Sequence, residues 1–381
     1  MSSNHSELVV GFVACSPAFT KDRLFYLESA RDHALERFVE TKKLLEANEM
    51  VCHTSDILDL HSIDVLFFYN LGLEFKDILS VIKANPHVHL VNIPIEPSMV
   101  APLHADSILQ KIPFDRILTW DDKLVAKGLP FVKTNIGEPV IRVQNIPYVS
   151  FSDKAFMGCV YSNKSSRDTN SLYSERIRAI SFFSGQEEKM DLYGIGWESS
   201  KLQSVRHSYR GKCVRKRDVL KQYKFSLCYE NTRDDAGLIT EKIFDCFAAG
   251  TVPVYYGAPN IQDYIPPECF IDFREFSDYD SLYDFMLNMT EVEYQTYLDA
   301  VKLFIDSPAY QTFTSKGFAQ TVLSQVQYLN NAPLPNRSVW QFKLDVVRAV
   351  LRYPPRSVRN LLRYVRFLFK FTFAGLERVD G

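Results

Sequence analysis

The sequence predicts an α/β protein: two doubly wound domains facing a cleft, followed by a helical tail. Three observations carry this expectation. Short apolar runs alternate with amphipathic helical stretches at the spacing of βαβ units, which build mostly parallel sheets. The pattern breaks once, over 136–153 ("IGEPVIRVQNIPYVSFSD"), where two prolines, a glycine and no helical period mark a linker, and then it restarts. The 381 residues also suffice for two domains of ordinary size.

In the first half, "LVVGFVAC" (8–15) reads as a buried strand. The charged stretch from Ser29 to Met50 reads as a helix with Ala34, Phe38, Leu44 and Leu45 on its apolar stripe. A strand at 62–71, a helix at 75–84, a strand at 87–95 and a strand at 114–120 follow. The second half supplies a strand at 156–162, a helix at 174–184, a strand at 190–196 and a helix at 217–223. The strand "FSLCY", a helix from Thr240, and strands at 251–257 and 269–273 complete it. The expected domains are 1–145 and 150–330, with a tail at 337–381.

Composition narrows the function. Apolar residues make up 46% and charged residues 24%, a soluble globular balance. With a net charge of -2 there is no global field drawing the chain to nucleic acid, so nucleic acid is not an expected partner. Seven scattered cysteines, none spaced CxxC, argue for reduced thiols rather than a disulfide framework or a zinc site. The first residues lack a basic start followed by an apolar core, so no signal peptide is read and a cytoplasmic location is expected. No run of about 18 apolar residues predicts a spanning helix.

Residues 225–257 pose a specific question. Phe225, Leu227 and Tyr229 alternate along a strand, and Asn231 to Gly237 has turn chemistry. Thr240 suits an N-cap, Ile243, Phe244, Phe247 and Ala248 form a buried face, and Gly250 ends the helix. Strand end, loop and helix N-terminus form the usual ligand crevice of an open α/β sheet, and free N–H groups there favour phosphate. Glu241 gains from the helix dipole, whereas Lys242 in the same turn is repelled by it. An anion in front of that lysine would resolve the conflict; a solvated surface lysine is the alternative.

The stretch 223–276, "YKFSLCYENT…LITEKIFDCFAAGTVPVYYGAPNIQDYIPPECFIDFREF", resembles the donor-site signature of the α-1,3/4-fucosyltransferases, glycosyltransferase family 10. Weaker similarity runs through 95–120 and 160–194. The resemblance implies a GT-B-like fold and a metal-independent, inverting transfer of L-fucose from GDP-fucose to a glycan hydroxyl, in a bacterial-type member serving lipopolysaccharide or another surface glycan. It implies no cofactor beyond the donor substrate. It also implies that Lys242 binds the donor diphosphate, that Glu241 bonds ribose or sugar hydroxyls, and that Asn231 lies on the donor loop. An arginine on the helix before "DLYG" meets the diphosphate; Arg176 fits best by spacing, with Arg178 close behind, and Thr240 belongs to the same motif. The family's base falls on Glu96 in "NIPIEPSMVAP", although Ile95 stands where the family carries glycine. A leaving diphosphate needs fixed cations or a metal, and a carboxylate must take the acceptor's proton, so this residue set is chemically sufficient.

The loop from Asn231 to Glu241 is one residue longer than in typical members, and Leu238 stands where many carry tyrosine. Another GDP-deoxysugar as donor, or a non-catalytic sugar-nucleotide or glycan-binding protein, therefore remain open alternatives. "DYD" (278–280) is read as helix capping rather than a metal motif, and "HVH" (87–89) as edge or core histidines. The tail carries ten Lys and Arg against three Asp and Glu. Over 357–370, Arg359, Arg363, Arg366 and Lys370 lie on one helical face and apolar residues on another. That pattern fits an in-plane anchor on an anionic membrane surface, at the inner face of a bacterial membrane, where a lipid-linked glycan acceptor would be met.

Overall fold

The computed structural model describes residues 7–352, except 15, 31–32, 70–74, 102–103 and 106–108. The proposed anchor at 357–370 lies outside them. Two compact units form, Met1–Gly137 with Ser315–Gly381, and Glu138–Thr314. The expected boundary near 145–150 thus falls at 137/138. The helix Ser315–Asn330, expected in the second domain, belongs to the first. Its Phe318, Val322, Leu323, Val326 and Leu329 are buried against the first unit's Val10, Phe12 and Phe38.

Among the described residues, the first unit holds a six-stranded parallel sheet. Its strands are β1 (Leu8–Val13), β2 (Met50–Thr54), β3 (Val65–Tyr69), β4 (His89–Ile93), β5 (Arg116–Thr119) and β6 (Phe131–Lys133), in the order β2-β1-β3-β4-β5-β6. Both faces are covered, which is why β3 reads "VLFFY" without a polar break. Val65 and Phe67 pack with the helices Glu36–Glu46 and Ser315–Asn330. Leu66 and Phe68 face the helices Phe75–Ala84 and Val339–Arg352. The helix expected over 29–50 is shorter: it spans Glu36–Glu46, residues 47–49 turn, and Met50 opens the edge strand β2.

The second unit repeats the architecture with β7 (Ala155–Val160), β8 (Met190–Tyr193), β9 (Tyr209–Gly211), β10 (Tyr223–Tyr229), β11 (Val252–Tyr256) and β12 (Ile271–Asp272). Its order is β12-β11-β10-β7-β8-β9, again parallel. Strand order therefore reverses between β7 and β10, and the crevice outside the carboxyl ends of strands at such a switch point is where doubly wound sheets bind ligands. The helix Tyr173–Phe183 covers one face and Glu241–Ala249 the other. Gly250 ends the latter helix at φ 66°, as its sequence position implies. Asp278 forms a capping box with Ser281 at the helix Tyr279–Leu287, so "DYD" has a structural role. His87 is exposed and bonds the Pro335 carbonyl, while His89 is buried 3.5 Å from Asp115. Cys52, Cys159, Cys228, Cys246 and Cys269 are buried free thiols. Among the described residues, no helix is long and apolar enough to cross a membrane.

Candidate active site

The carboxyl end of β10 sets Tyr229, Glu230 and Asn231 in succession at the switch point. From the helix after β7, the buried Arg176 reaches across. Its Nε and Nη2 donate to the Tyr229 carbonyl at 3.1 and 2.7 Å, and Nη2 donates to Asn231 Oδ1 at 2.9 Å. Its guanidinium lies 4.5 Å from the Tyr161 ring centroid and 5.1 Å from that of Tyr173, a cation–π cradle that holds the fork in one place. The Tyr161 hydroxyl donates to the Leu227 carbonyl at 2.9 Å and accepts the Tyr229 N–H at 2.7 Å, fixing the strand end beneath the arginine.

Lys242 answers the question its position raised. It is not a solvated surface lysine; its side chain is only 15% exposed, and its anion is internal. Nζ donates to Glu230 Oε2 at 3.0 Å and to Thr240 Oγ1 at 2.8 Å. Glu230 is wholly buried and also accepts from the Thr240 N–H and hydroxyl, each at 2.9 Å on Oε1. Thr240 does occupy the N-cap, yet its hydroxyl caps no helical N–H. It is spent on the buried carboxylate instead, because an unpaired buried charge would cost more than a lost cap. Burial works against the Lys242 charge. Glu230 and then Glu241 outweigh it and lift the ammonium above its ordinary value, with Arg176 opposing them. That opposition is itself informative: two cations sit near enough to repel.

Glu241, 3.5 Å from Lys242 and 3.6 Å from Lys216, is partly exposed. Burial of its carboxyl would raise its pKa, but Lys242, Lys216 and the Thr240 hydroxyl hold it far below the usual carboxylate range. Lys216 is itself held by Asp245 at 2.8 Å. Arg178, by contrast, is an exposed residue paired with Glu175 at 3.0 Å, and it does not enter this cluster. The structure thus brings Arg176, Asn231, Thr240, Glu241 and Lys242 together and leaves Arg178 outside. An arrangement of two cations at the carboxyl edge of a parallel sheet, beside a helix N-terminus, is suited to an anionic, phosphate-bearing ligand.

Residues 157–325 match the sequence model of the glycosyltransferase family 10 (fucosyltransferase) C-terminal domain. The match covers less than half of the chain and contains Arg176, Asn231, Thr240, Glu241 and Lys242. An alpha-(1,3)-fucosyltransferase of Helicobacter pylori is 36% identical over 83 residues, 22% of this chain and 17% of that protein. A GDP-fucose protein O-fucosyltransferase 3 of Bos taurus is 39% identical over 84 residues, 21% of this chain and 17% of the relative. These alignments therefore span less than a fifth of each relative's own length. A crystal structure of an alpha1,3-fucosyltransferase with GDP-fucose superposes with a TM-score of 0.52 at 16% identity, covering 89% of this chain and 95% of that one. The fold is thus shared far beyond the segment alike in sequence.

Glu96 lies outside the family 10 segment, on the loop leaving the carboxyl edge of β4 in the first unit. Two buried donors anchor its backbone. Trp120 Nε1 donates to the Ile95 carbonyl at 2.7 Å, and His104 Nδ1 lies 2.6 Å from the Glu96 carbonyl. Burial pushes the His104 pKa down to about 4, so the ring is a neutral donor across the physiological range. Sequence reasoning missed three residues. Glu230 stood inside the quoted motif, and its signal was a carboxylate directly following the buried run 225–229. Tyr161 and Tyr173 gave no signal beyond apolar character. Gly257, after β11, leaves room for Glu230: a Cβ there would lie 2.5 Å from Glu230 Cγ and from the Tyr255 hydroxyl oxygen.

Proposed function

We propose that this chain belongs to glycosyltransferase family 10 and is an inverting fucosyltransferase that moves L-fucose from GDP-fucose to a hydroxyl of a glycan, without a metal. The observation that carries the reading is the convergence of Arg176 and Lys242 at the switch point, inside the segment matched to the family. As the glycosidic bond breaks, negative charge grows on the departing diphosphate, and two fixed cations in a poorly solvated crevice stabilise it without reorganising. Glu241, kept ionised, is suited to accept hydrogen bonds from ribose or sugar hydroxyls, and Asn231 orients Arg176. Glu96 is the carboxylate that takes the acceptor's proton while the acceptor oxygen attacks the anomeric carbon from the opposite side. The bulk of the acceptor, expected to be a lipid-linked or surface glycan such as lipopolysaccharide, would be met at an anionic membrane held by residues 357–370.

The test is calorimetric titration with GDP and UDP, followed by transfer assays on Lys242→Ala, Arg176→Ala and Glu96→Gln. GDP, not UDP, is expected to bind. The two cation variants should lose GDP affinity and turnover together, by tenfold or more. Glu96→Gln should keep the GDP Kd while transfer falls by at least a hundredfold, because a base acts only in the chemical step. EDTA should leave the rate unchanged. A preference for UDP, or full activity of Glu96→Gln, would overturn the donor or the base assignment respectively. Sedimentation of the full chain with anionic vesicles, lost on truncation after residue 336, tests the membrane contact.

A further inference from the structure

One residue of the donor loop is held in place without a job. The backbone of Arg233 is pinned: its N–H donates to the Asn170 carbonyl at 3.0 Å, and the Leu172 N–H donates to the Asn231 carbonyl at 2.9 Å. Between them, Thr232 forms an antiparallel bridge with Ser171, and its hydroxyl donates to Asp235 Oδ2 at 2.7 Å. The loop after β10 is thereby zipped to the loop before the Arg176 helix. The Arg233 side chain is treated differently. Its Nε is buried from solvent and has no hydrogen-bond partner, and among the described residues no carboxylate pairs with it. The guanidinium carbon lies 6.0 Å from the Tyr256 ring centroid, a cation–π contact that supplies no acceptor to Nε–H. An orphaned buried donor costs stability, and such groups occur where a ligand supplies the missing acceptor.

Its neighbours say which ligand. Tyr256 packs on Tyr229 with ring centroids 5.4 Å apart, and its carbonyl accepts the Glu230 N–H at 2.7 Å. Arg233 therefore stands over the same strand ends that seat Arg176 and Lys242. The Lys242 charge is already shared with Glu230 at 3.0 Å and Glu241 at 3.5 Å. A diphosphate brings more negative charge than that half-spent lysine can match, and a planar guanidinium edge binds two phosphate oxygens at once. We propose that Arg233 is a third cation of the donor site, closing on the diphosphate from the β10 loop, and that this chain uses it beside the Arg176–Lys242 pair. The proposal rests on the nucleotide-sugar reading above.

The experiment measures Kd for GDP, GMP and guanosine with the full chain and with Arg233→Ala and Arg233→Lys. Arg233→Ala is expected to weaken GDP at least tenfold and leave guanosine within twofold, so the preference for GDP over guanosine shrinks. Arg233→Lys should recover part of the loss, since it keeps the charge and loses the fork. The unfolding midpoint should not fall, because the loop's pins are backbone bonds and Thr232, and Arg233→Ala removes an unpaired buried donor. An unchanged GDP-to-guanosine preference in Arg233→Ala would overturn the proposal. So would an unchanged GDP Kd with a raised KM for an anionic acceptor, which would assign the cation to the acceptor. A wild-type protein that binds guanosine as tightly as GDP would overturn the donor reading itself.

Discussion

Lys242 and Glu230 form a pair whose members cannot be removed independently. Glu230 is the largest force sustaining the lysine's charge against burial. Replacing it with glutamine keeps the shape and removes the charge, so the Lys242 pKa should fall. Because the raised value keeps the ammonium protonated well into alkaline conditions, the wild-type GDP affinity should be flat from pH 7 to 9. In Glu230→Gln it should decline over that range, by threefold or more at pH 9, as a growing fraction of Lys242 becomes neutral. Titrations at several pH values check this, and a flat profile in the variant would refute it. The sequence made Lys242 legible as an anomaly, since a cation in the first helical turn needs an anion. It did not reveal that the anion stood twelve residues back, just past the end of β10, because through-space pairing leaves no periodic mark. Arg233 was less legible still: an arginine in a polar loop looks solvated until the atoms around its Nε are known.

At the scale of elements, the strongly apolar strands and the helices with clear stripes were legible, as was the edge strand β12 within 269–273, whereas the edge strands β2, β6 and β9 were not. β2 follows its helix through Glu49 at φ 58°, a left-handed residue of a type that gives no turn signal, so the two elements read as one. β9 and β6 span three residues each, too few for a period to register. Lys154, just before β7, shows what holds such sheet ends together. Its Nζ donates to the carbonyls of Lys221, Tyr223 and Gly250 at 3.1, 3.3 and 2.7 Å, tying the amino ends of β7, β10 and β11. Burial lowers its pKa to about 8, from an ordinary 10.5. Below pH 8 the folded and unfolded chains both carry the charge, and its burial cost is constant. Between those values the folded chain gives up the proton first, so the unfolded chain binds more protons and stability rises with pH. Urea unfolding should therefore show wild type gaining about 2–3 kcal/mol relative to Lys154→Met between pH 8 and 10.5. Equal slopes in the two proteins would mean that the ammonium is not buried as described.

Over the whole molecule, the chain leaves its first unit at Gly137 and returns at Ser315. No local pattern announces this return, because a helix's apolar stripe records that it packs and not on which sheet. Phe318 is the test of it. Its ring meets Phe38 at 6.1 Å in an edge-on contact and is 1% exposed. Gly137 at φ 78° is shaped around it, since a Cβ there would come within 2.6 Å of Phe318 Cβ. Phe318→Ala should cost about 3–5 kcal/mol by urea unfolding while leaving the GDP Kd of the folded protein unchanged. A loss of GDP affinity with no loss of stability would return that helix to the donor half. Where the chain enters and leaves the second unit, Glu138 and Thr314 are bridge partners, and the Glu138 N–H donates to the Phe313 carbonyl at 2.6 Å. The second unit is thus a cassette laced shut at its own seam. A segment of different sequence that closes its own ends in the same way could be exchanged between Gly137 and Ser315 without cutting a strand of the first sheet.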